Sequence, residues 1–314
     1  MSDLIIRVME HDDWKQVARL IYASTNGWYQ DHQNSKIFSC SDDDMQLFCQ
    51  VYEALDPRCC LIAQNPETKQ ILGNCFYHPR ASHVSLGILN VHPQAFGQGI
   101  AGQLLHRVIA VARSRGLPLR LISSAMNLNS YSLYTKAGFV PRAAYQDMTL
   151  DVPTDGMRKI IPVFSAKTSG TIRAASLADV PQIVALEKKL NHIERGQDYR
   201  YFIQNKLSIW KVSILENAEK QILGFIVSVN HPASTLVGPA LAYEPQQIAK
   251  LLYHQLNEMP GASPVFLIPV EQSQLVAELY GWGAKNCEIH FHQILGHYSK
   301  PLGVSLPTFM PETG

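Results

Sequence analysis

Long apolar runs are missing from this sequence. No stretch of its 314 residues approaches the ~20 apolar positions that a membrane-crossing helix needs. The opening segment MSDLIIRVMEHDDW is acidic and mixed where a secretory signal would be apolar, so a soluble, cytoplasmic protein with no membrane partner is expected. Charge of one sign is missing too. The net charge is +1 and the basic residues are scattered, which removes the electrostatic footprint of a nucleic-acid binder. The six cysteines (Cys40, Cys49, Cys59, Cys60, Cys75, Cys287) contain no C-x-x-C pair, and the adjacent Cys59 and Cys60 would point to opposite faces of a strand. Reduced, mostly buried thiols are expected. The last absence is local: no Asp or Glu occurs between Glu67 and Asp147, so that interval cannot supply a carboxylate base.

What is present is enough apolar material for two cores. Hydrophobic residues make up 46% of the chain and charged residues 17%, and the length suits two domains of roughly 100 to 200 residues each. The first half reads as β-α-α-β-β-β-α-β-α-β. It begins with the strand LIIRVME and the helix DDWKQVARLIYAST, then a polar irregular insert WYQDHQNSKIFSCSDDD and the helix MQLFCQVYEAL. A hairpin (CCLIAQ and ILGNCFYH), the apolar strand SHVSLGILNV, a glycine turn and a long helix follow. PLRLISSA, a helix over about Asn129 to Lys136 and AAYQDMTL close it. The segment from Asp151 to Gly170 has no clear period and reads as a linker. The pattern then restarts: TIRAASLADVPQIVALEKKL mirrors LIIRVMEHDDWKQVARLIYAS, QILGFIVSVNHP mirrors QILGNCFYHP, and IAKLLYH mirrors IAGQLLH. These rhymes mark an internal duplication with a period of about 165 residues, far longer than a solenoid repeat.

The glycine turn GQGIAG, from Gly97 to Gly102, satisfies the dinucleotide pattern G-x-G-x-x-G and opens a helix. Glycine permits a tight turn with backbone N–H groups close to a ligand, and a helix N-terminus attracts phosphate. A Rossmann site is disfavoured. The turn follows antiparallel hairpin strands instead of ending the first strand of a βαβ unit, and no acidic residue follows about 20 positions later to hold a ribose.

Two segments together resemble the GNAT acyltransferase superfamily, whose members transfer an acyl group, usually acetyl, from coenzyme A to an amine. Val91-His92-Pro93 followed by Phe96-Gly97-Gln98-Gly99-Ile100-Ala101 is similar to the family's pyrophosphate motif, with Phe96 where Gln or Arg is usual. Asn127, Ser130, Leu133, Tyr134, Lys136, Gly138 and Phe139 match its second motif throughout. The resemblance implies an α/β (α+β) fold of two tandem GNAT-like domains, each a mixed, mostly antiparallel sheet flanked by helices. It implies acetyl-CoA as co-substrate, with Leu89, Asn90 and Val91 along the pantetheine and acetyl end and Gln98 through Gly102 (Gln98, Gly99, Ile100, Ala101, Gly102) with Gly97 on the pyrophosphate. Tyr134 matches the tyrosine that protonates the departing thiolate, a phenol suited to a thiol of roughly 8.5. Asn127 either binds pantetheine amides or caps its helix.

A general base is harder to place. The candidates are a histidine flanking the fourth strand (His78, His83 or His92, with His83 ranked first on strand parity), a carboxylate of the insert (Asp31, Asp42, Asp43, Asp44), or water. Trp28 and Tyr29 are candidate walls of the acceptor pocket. The second half carries Pro245, Gln246 and Gln247 where the first has Gly97, Gln98 and Gly99. Proline lacks the N–H and glutamine adds bulk where the backbone must approach phosphate, so a degenerate domain is expected. His290 and His292 form an H-x-H pair without partners at ligand spacing, and no metal is implied. The expected organisation is an acetyltransferase domain over 1–150, a linker over 151–170, a degenerate domain over 171–296 and an irregular tail over 297–314. The expected activity is transfer of acetyl to a primary amine of a small molecule or peptide N-terminus, by a monomer or homodimer. The rival is a coenzyme A-binding sensor or interaction module without turnover.

Overall fold

Largely buried, mostly apolar runs in the hairpin segments build the first sheet. The computed structural model describes residues 4–165 and 168–312; the outermost residues at each end and two residues of the expected linker lie outside them. The chain forms two compact units, one of Met1–Pro79, His83–Leu121 and Met310–Glu312, the other of Arg80–Ser82, Ile122–Phe309 and Thr313–Gly314. Among the described residues no helix is long and apolar enough to cross a membrane.

In the first unit the elements are β1 (Ile5–Val8), α1 (Trp14–Gln33), α2 (Gln46–Leu55), β2 (Cys60–Gln64), β3 (Ile71–Pro79), β4 (Val84–Val91), α3 (Ile100–Ser114) and the start of β5 (Leu119–Ser124). The strands lie in the order β1-β2-β3-β4-β5, antiparallel up to β4 and parallel between β4 and β5. On α3 the buried residues Ile100, Leu104, Leu105, Val108, Ile109 and Ala112 recur at helical spacing and form its core face. Helix α1 is longer than the sequence suggests and absorbs WYQDHQ, which was expected to be irregular. Asn26-Gly27 looks like a turn, but Asn26 is buried and its amide exchanges two 2.9 Å hydrogen bonds with the Phe38 backbone. That tertiary pairing holds the helix through a weak dipeptide and places Trp28 on α1, stacked on His32 at 4.4 Å.

The second unit holds α4 (Leu128–Lys136), β6 (Val140–Thr149), β7 (Thr171–Ala174), α5 (Val180–Asn191), α6 (Gly196–Gln204), β8 (Trp210–Glu216), β9 (Ile222–His231), β10 (Ser234–Ala242), α7 (Pro245–Asn257), β11 (Val265–Pro269), α8 (Ser273–Gly281), β12 (Lys285–Leu295) and β13 (Val304–Leu306). Its sheet runs β12-β6-β11-β10-β9-β8-β7, with β13 on β10. Strand β6 belongs by sequence to the first repeat, yet it pairs antiparallel with both β11 and β12. For this reason the boundary between compact units falls at Leu121–Ile122, where sequence pattern alone suggested 150. The segment 151–170 has no helix or strand among its described residues. It is nevertheless packed: Val152 and Met157 are buried, Tyr253 Oη donates to Met157 O at 3.0 Å, and Lys250 Nζ donates to Thr168 O and Gly170 O. The expected irregular tail contains β13.

The duplication reaches individual side chains. Arg7 grips Asp13 with two nitrogens at 2.6 and 2.8 Å while Asp13 accepts from Glu10 N. Arg173 grips Asp179 at 2.8 Å twice while Asp179 accepts from Ser176 N. Each pair ties a first strand to the start of the helix that follows. The Arg173 hydrogen bonds outweigh desolvation and hold the Asp179 carboxyl well below its ordinary value. A lowered carboxylate pKa stabilises the fold above the unfolded-state value near 4 and ceases to do so as pH falls through the folded one. Asp179→Asn is therefore expected to cost about 1 kcal/mol at pH 7, low in the range for such pairs because Arg173 is partly solvated. In chemical denaturation the gap from the parent protein should narrow progressively below pH 4. A gap independent of pH would rule out the ion pair as its source.

Candidate active site

Strands β4 and β5 pair at only two positions among the described residues, Val84 with Leu119 and Ser85 with Arg120. Beyond Ser85 the β5-facing edge of β4 is open, and Ile88, Leu89 and Asn90 become partly exposed. At the same place β4 bulges: the register with β3 passes from Tyr77–Leu86 to Cys75–Leu89, so Gly87 and Ile88 together face Phe76 alone. A bulge bends a strand and re-aims its backbone groups. An extended ligand with amide groups fits such an edge, since it can pair with main-chain N–H and C=O as an added strand.

The open edge leads through Val91 into the glycine turn. Gly97 and Gly99 have φ of +78° and +79°, left-handed conformations that other residues resist. A Cβ added at either position would meet nothing within 4 Å, so the backbone conformation, not crowding, demands glycine. Gly99 is the N-cap of α3, and its carbonyl accepts from Gln103 N at 3.1 Å. The N–H groups of Gly99, Ile100, Ala101 and Gly102 consequently lie ahead of the first helical bond and are available to a pyrophosphate. Phe96 is 49% exposed beside them; the cradle is made by backbone, and its side chain contributes no charge.

The face of this sheet toward α1 and α2 carries buried polar groups among apolar ones. Asn74 and Asn90 are cross-strand partners, which brings their side chains within reach of one another. Asn90 Nδ2 donates to Ser24 Oγ at 3.2 Å. Neither amide atom of Asn74, nor Asn90 Oδ1, has a hydrogen-bond partner among the described residues, and Asn74 is fully buried. Unsatisfied buried groups cost about 1–3 kcal/mol each, so this face is suited to a polar ligand or water. Farther along the same face, His78 Nδ1 lies 2.8 Å from Asp56 Oδ2, His78 Nε2 lies 3.4 Å from Glu312 Oε2, and Tyr52 Oη donates to Glu312 Oε2 at 3.0 Å. A Cβ on Gly87 would come within 3.0 Å of both His78 Nε2 and Glu312 Oε2, which fixes the cluster against the bulge.

The residues singled out by sequence divide between the units. Leu89, Asn90, Val91 and Gly97–Gly102 lie together in the first, along one edge and its turn. Asn127 and Tyr134 lie in the second, on α4. Asn127 is the N-cap, its Oδ1 accepting from Ser130 N at 3.0 Å. Tyr134 is largely buried against Phe139, ring centroids 5.9 Å apart. His83 is buried at the end of β4 that is still paired with β5, four residues and about 13 Å of strand before Gly87. His78, not His83, faces the bulge. Glu312 escaped sequence reasoning because only the fold brings it to β4.

The second half repeats the geometry with its openings closed. Strands β10 and β11 touch at one pair, Leu236 with Val265, and β10 is irregular between Val237 and Ala240. Here β13 pairs with Ala240, Leu241 and Ala242, occupying the β10 edge. At the head of α7 the Glu244 carboxylate accepts from the Gln247 backbone, the Gln247 side chain accepts from Glu244 N, and Pro245 has no N–H to offer. A carboxylate already at that helix end repels phosphate. The His290 pair has partners after all: Asp147, Glu288 and His290 bring ligand atoms within 4.8 Å of one another. His290 Nδ1 sits 3.0 Å from Asp147 Oδ1, and the carboxylates outweigh burial to raise the imidazole's pKa. This is the geometry of a buried ion pair.

Comparison with known proteins agrees with the duplicated architecture. Residues 25–139 match the acetyltransferase (GNAT) family and residues 185–289 match an acetyltransferase (GNAT) domain. Among solved structures, a Pyrococcus horikoshii protein assigned as an acetyltransferase is similar with a TM-score of 0.70 at 18% identity, over 96% of this chain and 92% of that one. A GCN5-related N-acetyltransferase of Sphaerobacter thermophilus is similar with a TM-score of 0.63 at 14% identity, over 93% and 95%. A tandem GNAT protein from the clavulanic acid biosynthesis pathway gives 0.60 at 12% identity, over 95% and 100%. No curated protein matches the sequence.

Proposed function

Because the chain belongs to the GNAT acetyltransferase family as a tandem-domain acyltransferase, we propose that its first half transfers acetyl from acetyl-CoA to a primary amine of a small molecule or peptide N-terminus. The observation that carries this reading is the continuous run from the open β4 edge into the left-handed glycine turn and the bare N-terminus of α3. The N–H groups from Gly99 to Gly102 receive the pyrophosphate, with Gly97 and Gln98 shaping the turn. The main chain of Leu89, Asn90 and Val91 pairs with the pantetheine amides.

Acetyl-CoA supplies an activated thioester carbonyl at the bulge. A β4 N–H, that of Leu89 or Asn90, donates to the carbonyl oxygen as negative charge gathers there during attack by a neutral amine. As the C–N bond forms and the C–S bond breaks, Tyr134 donates its phenolic proton to the departing thiolate, and the proton leaving the amine passes to a base. Asn127 holds the start of α4, and so the helix that carries Tyr134. The second half, with β13 on the β10 edge and a carboxylate at α7, serves as a structural module that binds no coenzyme A.

Tyr134→Phe separates an enzyme from a coenzyme A-binding sensor. Removing the acid should lower kcat by ~10²-fold or more, with the dissociation constant for acetyl-CoA unchanged. Free-thiol release in the presence of glycinamide and ethanolamine measures the first and calorimetry the second. Full turnover in the variant rules out the acid role.

A further inference from the structure

Glu312 brings to β4 a carboxylate that the acid-free interval does not supply. Residues Met310–Glu312 belong to the first compact unit, and Met310 is fully buried there. Glu312 is held on one oxygen by Tyr52 Oη and His78 Nε2, while 9% of its side chain stays accessible. His78, at 1%, is sealed; it can reach a substrate only through Glu312. Burial by itself would push the His78 imidazolium down, but the carboxylates of Asp56 and Glu312, facing its two ring nitrogens, lift its pKa above the ordinary value. The two carboxylates therefore favour the protonated imidazole, and its contacts at 2.8 Å with Asp56 and 3.4 Å with Glu312 orient the Glu312 carboxylate. Three amide atoms without partners, two on Asn74 and one on Asn90, lie on this same face of the sheet, and they point to this side as the one that takes a polar ligand.

We propose that Glu312 is the catalytic base, accepting the proton from the acceptor amine at the β4 bulge, with His78, Asp56 and Tyr52 as its positioning residues. The inference rests on the acetyltransferase reading. As the nitrogen bonds to the acetyl carbon its N–H becomes acidic, and the proton moves to the Glu312 carboxylate. It is released to water when the amide product leaves, while the thiolate takes its proton from Tyr134, which regains one from water. No further reactant is required. The acceptor favoured by this face is a polar primary amine that approaches along the partly exposed Asn90.

Glu312→Gln keeps the shape and the Tyr52 contact but removes the basic carboxylate. With acetyl-CoA and glycinamide or ethanolamine, kcat at pH 7 should fall ~10²-fold or more. The deficit should shrink toward pH 9.5, where hydroxide can take the proton from the nitrogen as the C–N bond forms. The titratable groups facing Glu312 are Tyr52, Asp56, His78 and, more remotely, Cys75. The acetyl-CoA dissociation constant should stay at its parental value, and the melting temperature should fall only modestly because His78 keeps its contact with Asp56. Glu312→Asp, which keeps the charge, should recover part of the rate, and a chain ending at Phe309 should lose as much as Glu312→Gln. A Glu312→Gln rate within threefold of the parent, or a loss independent of pH and matched by loss of stability or cofactor binding, overturns the proposal. A parent protein that binds acetyl-CoA but acetylates neither amine overturns the acetyltransferase reading itself, and this proposal with it.

Discussion

Gly99→Pro is expected to weaken acetyl-CoA binding by ~100-fold or more while leaving the fold intact. Proline fixes φ near −65° where Gly99 sits at +79°, so the turn must change its path. The substitution also deletes one N–H of the phosphate cradle, and a hydrogen bond to a charged group is worth about 1.5–3 kcal/mol. That alone corresponds to roughly a tenfold to hundredfold loss, before the displacement of Ile100 and Ala101 is counted. The fold should survive because Gly99 is exposed and nothing lies within 4 Å of a Cβ placed there. Gly99→Ala should bind with an intermediate constant, since it strains the left-handed conformation but keeps the N–H.

The largest effect on stability is expected at Arg195. Its guanidinium is 3% exposed and bonds Glu187 at 2.6 and 2.9 Å and Tyr199 Oη at 3.1 Å. Burial pushes the Glu187 carboxyl up against the pull of this arginine, which shows how dependent that charge is on its partner. Arg195→Ala strands Glu187 in the core of the second unit and should cost about 3–5 kcal/mol, or roughly 6–20 °C in melting temperature. The double substitution Arg195→Met with Glu187→Leu removes both charges and should restore most of the loss. A double variant as unstable as Arg195→Ala would mean that shape, not charge, sets the cost.

The repeat was legible because each half rebuilds the same unit from the same cues. The spacing of Arg7 to Asp13 recurs in Arg173 to Asp179, and each half has an apolar strand running into a helix. The glycine turn was legible because left-handed backbone is written in glycine. The helix cap at Asn127 was one of two roles open to an asparagine in that position, and its 3.0 Å bond to Ser130 N adopts it. Strand partners were not legible. Nothing in the alternation of β6 says that it pairs with β11 and β12, because periodicity reports which face a residue occupies and not its neighbour. Helix α6 was missed although the duplication implies it opposite α2. The base was invisible for the plainest reason: Tyr52 and Glu312 are 260 residues apart, and a carboxylate near a proline-rich end carries no local sign of a site.

The most direct test of a single working site is calorimetric titration of the full chain, stripped of bound nucleotide, with acetyl-CoA. One site per chain that Gly99→Pro removes is the predicted result. Two sites, one site that survives Gly99→Pro, or no binding at all would contradict it.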